Sequence, residues 1–363
     1  MRVIVKIGTS SLTGKSGEVN VLALSKLVEE VVAARVEGHE IVVVTSGAIT
    51  AGVQRLGIER PDEPEILQAI SAVGQIDLMR AYGEEFGSHG VATGQVLLAP
   101  HDFRDRNQYL HAETTFEHLI RLNVVPIVNE NDAVADDAIR YGDNDRIAAL
   151  VANLLRADLL VLLTDTPGVL TADPRIEPNA TLIEEIAAID RAIEEVAGNA
   201  GSRGSGGMAS KLAAARMASW SGVRTVIAAA DRPDVVSEAI AGISGIGTAV
   251  PAREARIAAR KLWIGFAVTA HGRVTVDDGA AQALCSAGGS LLIAGITGSE
   301  GPYDLGDAVD VVNLSGEVFA KGLISFDSET MNKWKGSRAE ELPSGISPVA
   351  IHRDDLVILE EPQ

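Results

Sequence analysis

Two lysines that are far apart in the sequence each lie beside a glycine-containing segment. Lys6 ends an apolar run in RVIVKIGTSSL, and Lys211 follows SGGMAS at the start of an apolar helical stretch. A lysine ammonium group and backbone N–H groups of a glycine loop can bind the same phosphate oxygens. Between the two lysines lies the polar stretch NENDAVADDAIRYGDND. This arrangement predicts phosphoryl transfer to a small polar acceptor.

The context of Lys6 favours a functional role over a purely structural one. An ammonium group within an apolar strand is costly unless it is paired. The structural alternative is a lysine at a strand edge whose ammonium group reaches solvent. A P-loop does not fit, because five residues separate Gly8 from Gly14 where that motif requires four.

Two further polar turns follow apolar runs. TSGAITAG places Ser46 and Gly47 at a strand-to-helix turn, where backbone N–H groups could bind a ligand. The structural alternative is a serine N-cap. LLTDTPGVLTADPR places Thr164 and Asp165 after a strand, as a nucleotide-binding loop or as an ordinary capped turn. Each motif is weak alone, and the prediction rests on their occurrence together.

The Asn- and Asp-rich stretch is the strongest local signal. Asp132, Asp143, Asn144 and Asp145 are expected on loops, where they could hold both the ammonium and the carboxylate group of an amino acid. Carboxylates also suit magnesium. We favour the interpretation in which Mg²⁺ is held by the phosphates of a nucleotide and not directly by the protein.

Alternating apolar runs and helical patterns predict the fold. VIVKI, IVVVTSG, VVPIVNEND, LLVLLTDTPG and VIAAAD read as buried strands, and Leu24, Leu27, Val28 and Val31 share one helix face. This predicts a three-layer α/β domain over residues 1–250, with a mainly parallel sheet and ligands beyond the carboxyl ends of its strands. Residues 251–263 read as a linker helix. Residues 264–363 have short strands and turns, which predicts a small, mostly β, barrel-like domain.

Composition limits the classes of function. The formal net charge is −19, which disfavours nonspecific binding to nucleic acid. The single cysteine excludes an internal disulfide and a multi-cysteine metal site. Met1 leads almost directly into an apolar strand and no apolar run is long enough to span a membrane, so we expect no secretory signal and a cytoplasmic location.

The motifs together resemble the amino-acid kinase family, over essentially the whole chain. The segments that carry the resemblance are VKIGTSSLT, IVVVTSGAITAG, ISAVGQ, VPIVNENDAV, GDND, LLTDTPGVLTADPR and SGGMASK. NENDAV with GDND is typical of the branch of the family that phosphorylates glutamate. The C-terminal segments TVDDGAAQAL, SLLIAGI and GDAVDVV resemble a PUA domain. One departure is Ser205, where the family loop often has threonine, but the hydroxyl group is kept.

This resemblance implies a function and an amino-acid kinase fold with a PUA-like barrel. The implied reaction is ATP-dependent phosphorylation of the γ-carboxylate of L-glutamate to L-glutamyl 5-phosphate, the first step of proline biosynthesis, with feedback inhibition by proline. The implied cofactors are ATP and Mg²⁺. The resemblance further implies a homo-oligomer, either a dimer or a tetramer, and channelling of the product to the next enzyme of that pathway.

The resemblance and the chemistry of phosphoryl transfer together give the residues expected roles. The expected catalytic residues are Lys6, Lys211 and Asp145, with Asp145 holding the two lysines in place. The expected acceptor-binding residues are Ser46, Gly47, Asp132, Asp143 and Asn144. The expected ATP-binding residues are Lys6, Gly8, Thr164, Asp165, Ser205, Gly206, Gly207, Met208, Ala209, Ser210 and Lys211.

Other functions remain open at this level. Within the same class, the acceptor could be N-acetylglutamate, aspartate or a nucleotide monophosphate. A second class is an RNA-binding protein that acts through the PUA domain, although residues 263–363 hold 15 acidic against 6 basic side chains. A third is a catalytically silent amino-acid sensor, which the presence of both lysines and Asp145 disfavours.

Overall fold

The computed structural model describes most of the chain, which forms two compact units. Its described residues are 1–14, 17–103, 106–134, 144–173, 176–177, 179–187, 189, 207–254, 257 and 259–359. The first unit is Met1–Ile257 and the second is Ala258–Gln363. Within the described ranges, no helix is long and apolar enough to cross a membrane.

The first unit is built on a mainly parallel sheet. Among the described residues this sheet has seven strands in the order β3-β4-β2-β1-β5-β6-β7. The strands are β1 Arg2–Ile7, β2 Glu40–Val44, β3 Thr93–Leu98, β4 Val125–Glu130, β5 Leu159–Thr164, β6 Arg224–Ala229 and β7 Gly247–Val250. β7 runs antiparallel to β6, and the other neighbouring strands are parallel.

Helices connect these strands. They are α1 Thr9–Leu12, α2 Val21–Val36, α3 Ala48–Leu56, α4 Pro64–Ser88, α5 Arg106–Arg121, α6 Asn144–Leu154, α7 Met208–Trp220 and α8 Val235–Ala241. The apolar face expected of α2 is confirmed, since Leu24, Leu27, Val28 and Val31 are buried. The predicted fold class is confirmed, because two-sided apolar strands alternate with helices as a parallel sheet requires.

The sequence patterns missed two strands at the two edges of the sheet. β3 (TGQVLL) carries only one fully buried residue, and β7 (GTAV) is four residues long. Edge strands are covered on fewer sides than central strands, so they do not need a continuous apolar run. Their pairing with β4 and β6 defines them instead.

The second unit is rich in β-structure. Its strands are β8 Gly272–Val276, β9 Leu291–Leu292, β10 Ile296–Glu300, β11 Ala308–Val312, β12 Val318–Leu323, β13 Val349–Ile351 and β14 Leu356–Ile358. Among the described residues, five of them form a sheet in the order β10-β8-β11-β12-β14, and β13 pairs with β9. The helices are α9 Ala259–Leu262, α10 Asp278–Ala287 and α11 Ser328–Trp334. α9 falls in the stretch expected to be a linker helix, and it continues into a π-helical turn, Trp263–Ala267.

Candidate functional site

Lys6, Asp145 and Lys211 form one buried ionic cluster. The Nζ atom of Lys6 lies 2.6 Å from Oδ1 of Asp145, and Nζ of Lys211 lies 3.3 Å from Oδ2 of the same carboxylate. The exposed fractions of the three residues are 3%, 1% and 5% in chain order. The structure therefore brings together the two lysines that are more than 200 residues apart in the sequence.

Three elements place this cluster at the carboxyl edge of the sheet. Lys6 is the second-last residue of β1 and is in register with Val44 of β2 and Leu162 of β5, so it occupies the middle of the sheet. Asp145 lies in the first turn of α6, and Lys211 lies in the first turn of α7. Ligands of parallel α/β sheets bind at this edge.

The loop position expected for Asn144 and Asp145 is wrong. Both residues belong to the first turn of α6 and are buried. A carboxylate in this position is favoured by the N-terminal end of the helix dipole. Attachment to a helix also restricts the direction of the Asp145 side chain, which contacts both lysines.

The electrostatics of the cluster favour a charged Asp145. Burial alone would raise the pKa of the Asp145 carboxyl group, but the ammonium groups of Lys6 and Lys211 outweigh burial and hold its pKa below the usual value. Burial lowers the pKa of Lys211, and so does the nearby charge of Lys6, while Asp145 opposes both. Two ammonium groups and one carboxylate leave a net positive charge, so the cluster can attract an anionic group.

Ser46 and Gly47 follow the strand beside this cluster. They follow β2, whose Val44 is in register with Lys6. Gly47 is the N-cap of α3 and has a φ of 104°, in the left-handed region that glycine adopts without strain. Ser46 is buried. The structure therefore places both residues at the same edge as Lys6, as expected from the sequence.

Asp132 and Asn144 come from neighbouring elements. Asp132 begins a short 3-10 helix, Asp132–Val134, two residues after β4. Asn144 lies next to Asp145, and its Oδ1 accepts a hydrogen bond of 3.0 Å from the backbone N–H of Glu130. Burial raises the pKa of Asp132, and a hydrogen bond from Ser71 partly offsets this effect. Asp143 lies outside the described residues.

The residues expected to bind the nucleotide lie on the other side of Lys6. Thr164 ends β5, and its hydroxyl group donates to Oδ1 of Asp165 at 3.2 Å. The charge of Asp165 acts on Lys211 and partly offsets the lowering of the Lys211 pKa by burial. Gly8 follows β1, and a Cβ built on it would lie 3.7 Å from Nζ of Lys6. Gly207 is the N-cap of α7, which starts with Met208, Ala209 and Ser210. Ser205 and Gly206 lie outside the described residues.

Sequence reasoning missed a polar row on α4. Ser71 donates to Oδ2 of Asp132 at 2.5 Å, Tyr82 donates to Oγ1 of Thr45 at 2.9 Å, and Gln75 accepts from Nδ2 of Asn129 at 2.8 Å. The signal was their spacing of four and seven residues, which puts polar side chains on one face of a helix. Their partners follow β2 and β4 or lie at the end of β4, which only the folded chain shows.

A pocket opens beside this row. It has a volume of about 420 Å³ and lies between α4, β3 and the residues that follow β4. Ser71, Gln75 and Asp132 are part of its lining, together with Glu130 and Asn131. Among the described residues, no group of three or more His, Cys, Asp or Glu side chains could hold a metal ion.

Comparison with known proteins assigns the first unit to a family. Residues 1–229 match the amino acid kinase family, and residues 272–346 match the PUA domain. The chain belongs to the amino acid kinase family. It is therefore a kinase, and membership of this family implies that it uses ATP. The predicted family and the predicted C-terminal domain are confirmed.

Several curated relatives of this amino acid kinase family member match it over nearly their whole length. It is 43% identical to the glutamate 5-kinase of Burkholderia multivorans, 42% to that of Caldanaerobacter subterraneus and 44% to that of Chromobacterium violaceum. Each alignment covers 99% of this chain and 98% of the relative.

A solved structure supports the same fold. The carbamate kinase of Giardia lamblia bound to AMP-PNP has a TM-score of 0.50 with this chain at 15% identity. It covers 69% of this chain and 98% of its own, so the likeness concerns the kinase fold alone.

Proposed function

We propose that the protein transfers the γ-phosphoryl group of ATP to the γ-carboxylate of L-glutamate. The product would be L-glutamyl 5-phosphate, the first intermediate of proline biosynthesis. The observation that carries this proposal is the cluster in which Asp145 joins the ammonium groups of Lys6 and Lys211 at the carboxyl edge of the sheet. The whole-length similarity to glutamate 5-kinases supports glutamate as the acceptor.

The chemistry of the acceptor fits the charges of the cluster. A glutamate carboxylate is already ionised near neutral pH, so its attack requires no general base. The difficulty is to bring this anion to the negatively charged phosphoryl group. Phosphoryl transfer is catalysed mainly by positioning and by electrostatic stabilisation of the transition state. Lys6 and Lys211 supply positive charge on buried side chains, and Asp145 keeps their ammonium groups together.

The acceptor is held by residues that follow β2 and β4. Asp132 offers a carboxylate to the α-ammonium group of glutamate, and Asn144 and Ser46 offer polar groups to its carboxylates. Asp143 and Gly47 complete the proposed acceptor set. The nucleotide is held by Gly8, Thr164, Asp165 and the segment from Ser205 to Lys211. Mg²⁺ is held by the phosphates of ATP and neutralises part of their charge.

Regulation and assembly follow the same proposal. Proline inhibits by binding at or beside the acceptor site, and the protein assembles as a dimer or a tetramer. Because proline carries an ammonium and a carboxylate group as glutamate does, the same polar residues can bind it.

The test is ADP release from Mg²⁺–ATP with L-glutamate, N-acetyl-L-glutamate or L-aspartate, each with and without L-proline. We expect turnover with L-glutamate that proline suppresses. Turnover with N-acetyl-L-glutamate or L-aspartate alone would move the specificity and keep the mechanism. Without turnover on any acceptor, the proposed function is wrong. Lys26→Ala is the matched control for substitutions of Lys6 and Lys211. Lys26 makes a partly exposed ion pair with Glu30 on α2, so its loss should leave turnover unchanged.

A further inference from the structure

Three side chains of the long helix α4 form hydrogen bonds with residues at or near the proposed acceptor site. Ser71, Gln75 and Tyr82 bind Asp132, Asn129 and Thr45, respectively. These three partners lie at or beyond the carboxyl ends of β4 and β2, where the proposed acceptor residues are found. A helix on one side of the site therefore holds side chains from two different strands.

α4 also lies very close to α3, which begins at Gly47. A Cβ built on Gly74 would lie 1.9 Å from the backbone oxygen of Ala48 and 2.3 Å from the backbone nitrogen of Gly52. A Cβ built on Gly52 would lie 2.0 Å from the backbone oxygen of Ile70. Contacts this close are open only to glycine. The first turn of α3 and the segment around Ser71 are therefore held in a fixed relation.

Of the three hydrogen bonds described for α4, the one between Ser71 and Asp132 involves a residue that we propose to bind the acceptor. Both residues are buried, and the Ser71 hydroxyl group donates to Oδ2 of Asp132. Among the described residues, Oδ1 of Asp132 has no hydrogen-bond partner. A hydrogen bond to one oxygen of a carboxylate restricts its rotation and leaves the other oxygen for a ligand.

We propose that Ser71 is a positioning residue of the acceptor site, whose hydroxyl group holds Oδ2 of Asp132 so that Oδ1 can bind the ammonium group of the acceptor. This rests on the proposed function, because it assigns the ammonium group of glutamate to Asp132. It adds a residue on α4 that contacts neither the nucleotide nor the reacting carboxylate. It also explains why a buried serine lies on a helix whose neighbouring buried positions are largely apolar.

The charge state of Asp132 supports the same role. Burial raises the pKa of Asp132, and the hydrogen bond from Ser71 lowers it. The charged groups of adjoining elements are Glu130 at the end of β4 and Asp145 with its two lysines. Loss of the Ser71 hydroxyl group would therefore let Asp132 take up its proton at a higher pH. A protonated carboxyl group cannot form an ion pair with an ammonium group.

The experiment compares Ser71→Ala and Ser71→Thr with the unchanged protein. For Ser71→Ala we expect the KM for L-glutamate to rise about tenfold, which corresponds to one hydrogen bond to a charged group. The KM for ATP should stay within about twofold of its value in the unchanged protein, a much smaller change than the roughly tenfold rise expected for glutamate. The acidic limb of kcat/KM for glutamate should move to higher pH. Ser71→Thr keeps the hydroxyl group and should restore both properties.

Two controls separate positioning from a general loss of structure. Ser88→Ala removes a hydroxyl group of the same helix that donates to the backbone oxygen of Glu85, one turn earlier. This variant should change neither KM nor the pH profile. Glutarate has both carboxylates of glutamate but lacks the ammonium group. Its inhibition constant should therefore be the same in Ser71→Ala and in the unchanged protein. An equal weakening of glutamate and glutarate, or an unchanged KM for glutamate, would overturn the proposal.

A measurement on the protein alone distinguishes this proposal from the proposed function. The carboxyl carbon of Asp132 can be followed by ¹³C NMR as the pH is lowered, with Asp132→Asn to assign its signal. We expect titration at higher pH in Ser71→Ala than in Ser71→Thr. Absence of glutamate turnover in the unchanged protein would refute the function, whereas equal titration in the two variants would refute the role of Ser71.

Discussion

Replacement of Asp145 by asparagine would remove the shared counter-charge of two buried lysines with little change of shape. In the native cluster Asp145 lies within 3.3 Å of both ammonium nitrogens. Two ammonium groups that share one carboxylate lie no more than about 8 Å apart, so at an effective dielectric constant of about 20 they repel each other by at least about 2 kcal/mol. Breaking a buried ion pair by removing one partner typically costs about 3–5 kcal/mol.

Deprotonation of Lys211 sets an upper limit to this cost. A lysine with the usual pKa of 10.5 can lose its proton at pH 7.5 for about 4 kcal/mol, at about 1.36 kcal/mol per pH unit. Burial already lowers the pKa of Lys211, so the true limit is smaller. We therefore expect Asp145→Asn to lower the free energy of unfolding of the first unit by about 2–4 kcal/mol at pH 7.5.

The sign of the pH dependence follows from the same reasoning. As the pH rises toward 10, neutral Lys211 becomes less costly, so the destabilisation of Asp145→Asn should shrink. At low pH it should also shrink, because the pKa of Asp145 is depressed in the folded state. The stability that this carboxylate contributes is present above its unfolded pKa, about 4, and is lost as the pH falls through its folded pKa.

Hydrogen exchange of peptides from β1 and β5 is a suitable assay, because these paired strands belong to the first unit alone. The double variant Asp145→Asn with Lys211→Met should recover most of the stability and none of the activity. Asp77→Asn is the matched control, since Asp77 pairs with the exposed side chains of Arg55 and Arg80, and it should cost less than about 1 kcal/mol. A loss below about 1 kcal/mol for Asp145→Asn, or one that does not change with pH, would refute the reasoning.

Three further predictions concern the lysine, the turn and the helix contact. Lys211→Ala should lower kcat about a hundredfold or more with a much smaller change in the KM values, because the charge of Lys211 acts in the transition state. Steady-state kinetics that show a raised KM with an unchanged kcat would contradict this role. Gly47→Ala should cost about 1–3 kcal/mol because of the φ of 104°, and should raise the KM for the acceptor; thermal unfolding and kinetics like those of the unchanged protein would contradict it. Gly74→Ala should destabilise the protein, since its Cβ would lie 1.9 Å from the main chain of α3. Gly87→Ala on the same helix is the control, because its Cβ meets no atom within 4 Å, and thermal unfolding should show a stabilisation of about 0.5–1 kcal/mol. Equal melting temperatures of the two glycine variants would show that the helix contact is looser than the structure indicates.

Most of the fold could be predicted from local patterns. The central strands β1, β2, β4, β5 and β6 are continuous apolar runs, because both of their faces are covered by helices. The edge strands β3 and β7 were missed, since their sequences lack such a run and their pairing partners are distant in the sequence. The second unit was predicted as mostly β from its short strands, which the structure confirms.

The candidate site was predictable in its residue types but not in its contacts. Lys6, Lys211 and Asp145 stand out as charged side chains within or beside apolar segments. Nothing in their spacing shows that one carboxylate contacts both lysines, and Asp145 was expected on a loop, although it lies in the first turn of a helix. Ser71 lies in ISAVGQ, one of the segments that carry the family resemblance, but it was given no role, because its hydrogen bond joins it to a residue 61 positions away.

The alternation of apolar runs and polar turns therefore determines which residues reach the carboxyl edge of the sheet, because a buried strand must end where its polar residues begin. It also determines that these residues include lysines, carboxylates and glycines. The tertiary structure decides which of them meet: the order of the strands brings β1 between β2 and β5, and the packing of α4 against α3 brings Ser71 to Asp132. These contacts join segments that are distant in the sequence, and the close approach of two helices at glycine depends on how the whole unit packs.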